Sequence, residues 1–153
     1  MVDSAHHPRE VTTIAMTLYS QLRVLHGFEH KDPQIGTILK QTALTFIPLV
    51  NPDGFAFISK HYLKTGEFLL IRKNLHLYDE ELCKDKGPRF EGVDLNRNYG
   101  YNFAYDNKGS TDDQCAEYYR GPEAFSEPET QAMRDFLTEA TWIKVAVNMH
   151  AWG

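Results

Sequence analysis

Ser126-Glu127-Pro128-Glu129-Thr130-Gln131-Ala132-Met133-Arg134-Asp135-Phe136-Leu137-Thr138-Glu139-Ala140-Thr141-Trp142-Ile143-Lys144-Val145-Ala146-Val147-Asn148-Met149-His150 contains one complete helix-to-strand unit. Its first four residues have the form of a capping box, in which the Ser126 hydroxyl accepts the Glu129 amide and the Glu129 carboxylate reaches back to residue 126. The spacing predicts a helix with Ala132, Met133, Phe136, Leu137 and Ala140 as its buried stripe. After a short connection, Ile143, Val145, Val147 and Met149 alternate as in a core strand, and His150 stands at its carboxyl end. In open α/β sheets ligands gather at that end of the strands. A single histidine there is more often a hydrogen-bonded structural residue than a metal ligand, so His150 acquires meaning only with partners.

Earlier in the chain the same alternation recurs. From residue 10 to 26, Val11, Ile14, Leu18, Leu22 and Leu25 fall on one helical face, with Gly27 as a stop. Residues 28–41 read as a polar loop, and 42–47 as a strand closed by Pro48. Asn51-Pro52-Asp53-Gly54 reads as a turn before a short helix over 55–63. Residues 64–125 show no sustained period, which is uncommon for so long a stretch unless it builds a site. Its aromatic residues, Tyr99, Tyr101, Phe103, Tyr105, Tyr118 and Tyr119, argue against disorder. Strands alternating with helices predict an α/β fold: a mainly parallel or mixed sheet with helices on both faces, in one domain over 1–153. Only nine residues precede the first helix and the last strand runs almost to Gly153, so the domain is expected to be incomplete at both ends, without a strand ahead of His7.

At 153 residues and 17.6 kDa one core is expected. A net charge of -5 offers no basic face for phosphates, which argues against nucleic acid as a partner. No apolar run approaches the ~20 residues of a membrane helix, and the first seven residues lack the basic start and apolar middle of a signal peptide. Cys83 and Cys115 can form one disulfide or stay as two buried thiols.

His7 and Glu10, a His-x-x-Glu pair entering a helix, can aim an imidazole nitrogen and a carboxylate oxygen at one point; with His150 they make a three-ligand site. Catalytic zinc commonly takes three such ligands and leaves a fourth position for water. His6 is an alternative ligand with a different spacing to Glu10. Asn96-Arg97 presents an amide beside a guanidinium, a pair suited to a carboxylate, against the simpler reading of a surface ion pair. Asp94 is either a solvated loop acid or the group that orients a zinc-bound histidine. Arg72 is either a solvated charge or a donor to a developing oxyanion.

Taken in order, these residues resemble the zinc carboxypeptidase family whose best-known members are the pancreatic A and B enzymes. His7-Pro8-Arg9-Glu10 resembles the family's metal motif and Asn51-Pro52-Asp53-Gly54-Phe55 its turn after a central strand. Arg72-Lys73-Asn74 resembles the segment of the carbonyl-polarising arginine, and Gly92-Val93-Asp94-Leu95-Asn96-Arg97-Asn98 the segment that grips the terminal carboxylate. Tyr119-Arg120-Gly121-Pro122 through Glu129 is similar to the approach to the next helix. The resemblance implies one Zn2+ held by His7, Glu10 and His150, with Asp94 behind His7 and Arg72 on the oxyanion. It implies Asn96 and Arg97 on the substrate's C-terminal carboxylate and Arg9 on residues further up the peptide. It also implies a Cys83–Cys115 disulfide, although Cys83 lies further upstream than in the pancreatic enzymes. The implied protein is a metallocarboxypeptidase acting on peptide and protein C-termini, a monomer when complete, in an extracellular or lysosomal/vacuolar compartment. A zinc deacylase of N-acyl amino acids and a noncatalytic carboxylate-binding module are the competing readings.

In the family the general base is a glutamate well beyond the second zinc histidine, which would fall past Gly153, together with the pocket floor that sets the preferred C-terminal residue. General acid–base help contributes about 10²–10⁴ in rate. Residues 1–153 alone are therefore expected to be nearly inactive, and release of C-terminal residues at ordinary enzyme rates by the purified 153-residue chain contradicts this.

Overall fold

Val2–Ser4 (β1) is the middle strand of a three-stranded parallel sheet, flanked by Phe46–Ile47 (β2) and Val147–Met149 (β3), in the computed structural model, which describes residues 1–78 and 82–151. Asp3 lies opposite Ile47 and Asn148, and Ser4 opposite Met149. The pleat therefore puts Val2, Ser4 and Met149 on one face and Asp3, Ile47 and Asn148 on the other. Val11–Glu29 (α1) and Pro33–Gln41 (α2) join β1 to β2; Pro52–Thr65 (α3) and Pro128–Glu139 (α4) lie between β2 and β3. The first face carries α1, whose Thr17 hydroxyl donates to Met149 Sδ at 3.6 Å. Across the sheet, Met133 of α4 packs with Val50 and Leu95 against Met1, Ile47 and Tyr99. Helices thus cover both faces, as the alternation of elements implies.

Several expectations are corrected. A strand does precede His7: β1 is short, and its Val-Asp-Ser carries no apolar alternation, but pairing on both edges buries Asp3 and Ser4. Gly27 does not end the first helix, which continues to Glu29. A Cβ at Gly27 would stand 2.6 Å from Ile35 Cγ1, so glycine is needed there for the close approach of α2. Within the segment read as a loop, α2 forms because Asp32 accepts the amides of Gln34 (2.9 Å) and Ile35 (3.3 Å) and Pro33 occupies the first turn. Asn51-Pro52-Asp53-Gly54 is the start of α3, with Asn51 Oδ1 accepting the Gly54 amide at 3.0 Å.

The capping box does not close. Glu127 takes the N-cap position of α4, Ser126 donates to Glu127 Oε1 at 2.7 Å, and Glu129 turns toward Asn74. Of the stripe assigned to this helix, Met133 and Ala140 are buried while Leu137 faces out. The strand at 42–47 shortens to two residues and that at 143–149 to three, with Val145 and Val147 largely exposed. Val11, Leu18, Leu22 and Leu25 of the α1 stripe are likewise exposed while Ile14 is half-buried, and the face the helix turns to the sheet is Thr13 and Thr17. Small β-branched side chains let the helix lie close; Thr13 returns its hydroxyl to the Glu10 carbonyl at 2.7 Å.

Among the described residues of 64–125 there are three short 3₁₀ turns, Lys84–Lys86, Pro88–Phe90 and Leu95–Arg97. They are tied by polar contacts more than by apolar packing. The Cys83–Cys115 disulfide forms. Lys73 is fully buried and donates to the carbonyls of Phe90 (2.6 Å) and Gln114 (2.8 Å). Asn98, also buried, donates to the Arg120 and Glu123 carbonyls and to Ser126 Oγ, and accepts from Thr130. The aromatic residues do not form one cluster: Tyr119 is buried and Tyr99 packs edge-on against Phe125, while Tyr101 and Tyr105 stand in solvent. Among the described residues no helix is long and apolar enough to cross a membrane.

The accessible surface is 9725 Å², against about 7,900 Å² for a folded monomer of this mass. Exposed apolar side chains include Leu22, Leu25 and Phe28 on α1 and Val147 on β3. Replacing the exposed Leu22 and Leu25 together by glutamate is expected to shift unfolding free energy by no more than about 0.5 kcal/mol per site while lowering dye binding and self-association. Ile58→Ala, in the buried face of α3, is expected to cost about 2–5 kcal/mol in denaturant titration.

Candidate metal centre

The loop after β1 carries His6 and His7 to the carboxyl end of the sheet, and Glu10 occupies the N-cap of α1. An N-cap side chain ordinarily accepts a helix amide; that of Glu10 makes no capping bond and points instead at two imidazoles. Its Oε1 lies 2.8 Å from His7 Nδ1 and its Oε2 lies 2.9 Å from His150 Nδ1. His150 arrives from the end of β3, and the Ala151 amide adds a bond to Glu10 Oε2 at 3.1 Å. Potential ligand atoms of His7, Glu10 and His150 all lie within 4.8 Å of one another.

Behind His7, its Nε2 meets Asp94 Oδ1 at 3.0 Å, and Asp94 Oδ2 takes Arg72 Nε at 2.7 Å. Asp94 is fully buried and also caps the Leu95–Arg97 turn by accepting the Asn96 amide. Both ring nitrogens of His7 therefore face carboxylate oxygens. Burial alone would lower the His7 pKa, but the bonds to Asp94 and Glu10 override it and raise the value. Burial would raise Glu10, yet the bonds from His150 and His7 hold its carboxyl well below the usual range. Asp94 is likewise held low by His7 and Arg72 against burial. Two imidazole nitrogens and a carboxylate, with a second carboxylate fixing the ring of one histidine, are the donor set and outer support that zinc takes.

The whole chain, residues 1–153, matches the family model for zinc carboxypeptidases. The chain belongs to the zinc carboxypeptidase family. Human carboxypeptidase A5 is 34% identical over 152 residues, 99% of this chain and 31% of that protein. The zinc carboxypeptidase of Simulium vittatum is 33% identical over 153 residues, 99% of this chain and 44% of that protein. Among solved structures, thrombin-activatable fibrinolysis inhibitor matches with a TM-score of 0.81 at 28% identity, covering 99% of this chain and 34% of that one. The bovine inhibitor in complex with tick carboxypeptidase inhibitor gives 0.77 at 28% identity, covering 99% and 45%. The chain thus spans less than half the length of each of these relatives.

Within this zinc carboxypeptidase fold the other candidate residues divide. His6 is not part of the His7–Glu10–His150 cluster and is bonded instead to Tyr99 Oη (2.7 Å) and Asn148 (2.9 Å). Burial and the neighbouring His150 and His7 push its pKa down to about 4, leaving it a neutral structural ring. Asn96 Nδ2 lies 3.3 Å from His150 Nε2, at the edge of the cluster. Arg97 is engaged by backbone, with Nε on the Gly109 carbonyl at 2.6 Å and Nη1 on the Asn96 carbonyl at 3.0 Å. Arg9 forms an ion pair with Glu117 at 2.9 Å.

Residues that sequence reasoning missed include Asn51, Glu117, Arg89 and Glu127. Asn51 Nδ2 donates to the carbonyls of His6 (3.1 Å) and Lys73 (3.3 Å), joining the histidine loop to the Arg72 segment. A Cβ at Gly54 would stand 2.7 Å from both Asn51 Oδ1 and Pro8 Cγ, so this packing requires glycine. The buried Glu127 carboxylate accepts from Tyr78, Asn74, Ser126 and His76. Burial would raise its pKa, but these donors depress it below the unfolded value of 4.5. Its contribution to stability is therefore present above about pH 4.5 and lost as pH falls through the depressed folded value. Glu127→Gln is expected to lower stability at pH 7 by about 1.5–3 kcal/mol and to flatten the acid limb of unfolding free energy against pH, read by denaturant titration.

Proposed function

We propose that this chain carries the metal centre and part of the substrate cleft of a zinc-dependent carboxypeptidase that removes the last residue of peptides and proteins. The observation that supports it most is the convergence of His7 Nδ1 and His150 Nδ1 on the Glu10 carboxylate, with Asp94 on the far nitrogen of His7. His7, Glu10 and His150 are the residues that would hold zinc. Zinc bound there supplies Lewis-acid chemistry, polarising a carbonyl oxygen and making a water molecule acidic.

This chain's own groups bind and orient. Asp94 holds His7 in one ring orientation through Nε2, so that Nδ1 faces Glu10. It also fixes the Arg72 guanidinium through Nε, leaving terminal nitrogens that meet no acceptor among the described residues. Arg72 lines the cavity beside Glu10, and in this reading its terminal nitrogens donate to an oxyanion as it develops. Asn96 Nδ2 stands beside His150, and Arg97 retains Nη2 once Nε and Nη1 are engaged. In this reading they take one carboxylate between them, which restricts cleavage to the final peptide bond. The described carboxylates nearest the centre are all engaged, Glu10 by imidazoles, Asp94 by His7 and Arg72, Glu117 by arginines. In this reading the general base is a further glutamate, as the resemblance to the family implies. The disulfide favours an oxidising, extracellular compartment.

Equilibrium dialysis is expected to give one zinc per chain, with Asp94→Asn weakening affinity by about 10–100-fold through loss of the His7 support. Alanine at His7, Glu10 or His150 is expected to abolish stoichiometric uptake. The full-length protein is expected to hydrolyse peptides in preference to N-acyl amino acids and to lose activity to a chelator; activity indifferent to chelator refutes the reading.

A further inference from the structure

Arg9, Glu10, Leu70, Arg72, Arg89 and Glu117 line a cavity of about 290 Å³ beside the metal-ligating cluster. Glu10 is engaged by the two imidazoles, and Arg72 is balanced from behind by Asp94. That leaves Arg9 and Arg89 with one carboxylate between them. Glu117 Oε1 accepts from Arg9 Nη1 at 2.9 Å and from Arg89 Nε and Nη2 at 3.0 and 2.8 Å. Arg9 Nε is buried and has no hydrogen-bond partner among the described residues. The cavity therefore holds more guanidinium than carboxylate, and its Arg89 end is half-exposed and open to solvent.

We propose that this cavity receives the acidic side chain of the substrate residue on the amino side of the cleaved bond, with Arg89 as the specificity determinant. The inference rests on the carboxypeptidase reading. Arg72, assigned to the scissile carbonyl, is in the cavity wall, whereas Asn96 and Arg97, assigned to the terminal carboxylate, are not. The part of a peptide that fills the cavity is therefore the part before the last residue. Arg89 sits in the Pro88–Phe90 turn, whose Phe90 carbonyl is pinned by the buried Lys73. A guanidinium on a fixed base gives a fork for both oxygens of a carboxylate at little ordering cost.

Isothermal titration calorimetry of the zinc-loaded protein tests this with three peptide analogues that differ only in Glu, Gln or Lys at the penultimate position, the last amide reduced to CH2–NH to prevent cleavage. The expected order is Glu, then Gln, then Lys, with a Glu-to-Gln affinity ratio of about three- to fivefold at low salt, in the range of partly exposed ion pairs. The ratio should shrink as salt shortens the screening length. Arg89→Ala is expected to bring it to about one, Arg89→Lys to retain part of it, and Glu117→Gln to enlarge it by removing the competing carboxylate. A ratio of one in the unaltered protein, or one that persists in Arg89→Ala, overturns the inference while zinc-dependent binding of the analogues leaves the carboxypeptidase reading standing. Failure of the zinc-loaded protein to bind any of the three overturns both.

Discussion

A carboxylate shut away from water must find its counter-charges inside the protein, and Asp94 finds them where separate segments of the chain meet. Burying a charge costs several kcal/mol unless it is paired and hydrogen-bonded. Asp94 meets that requirement through His7 from the end of β1, Arg72 from the long irregular segment, and the Asn96 amide of its own turn. The position of each functional group is thus a condition for burying this one acid. Removing any partner leaves a charge stranded, which makes the arrangement rigid.

The same logic runs through the rest of the irregular half. A sheet with strands of two or three residues cannot organise sixty residues of loop by apolar packing. Polar buttresses take that part: Lys73 across two carbonyls, Asn98 across five groups, Asn51 across the histidine loop and the Arg72 segment. Burial lowers the Lys73 pKa to about 8, opposed by Asp94 and the other nearby acids, so this buttress carries a desolvation cost of its own. The disulfide closes a separation of 32 residues, a loop whose closure contributes about 3–4 kcal/mol in the chain-entropy picture. Rigidity built this way keeps the arginines and the asparagine near His7, Glu10 and His150 without a large core beneath them.

Much of the centre was legible in the sequence because ligand chemistry depends on residue type and short spacing. His7 and Glu10 lie three apart at a helix start, and His150 closes an apolar alternation, so their meeting could be inferred from strand-end geometry. Other parts were illegible for definite reasons. β1 is too short and polar to show a period, although it is the central strand. The stripe on α1 is real as a pattern, yet the helix buries its threonines, because closeness to the sheet matters more there than apolar area. Gly27 looked like a terminator and proved to be a spacer for α2. The Arg89–Glu117 pair joins residues 28 apart in a stretch without periodicity, which no local pattern announces.

The central claim is that one divalent ion is held jointly by His7, Glu10 and His150. X-ray absorption at the zinc edge on the zinc-loaded protein tests it most directly. The account expects a first shell of nitrogen and oxygen only, at about 2.0–2.2 Å, with multiple scattering from two imidazoles. A shell containing sulfur at about 2.3 Å, or one with the signature of fewer than two imidazoles, contradicts it.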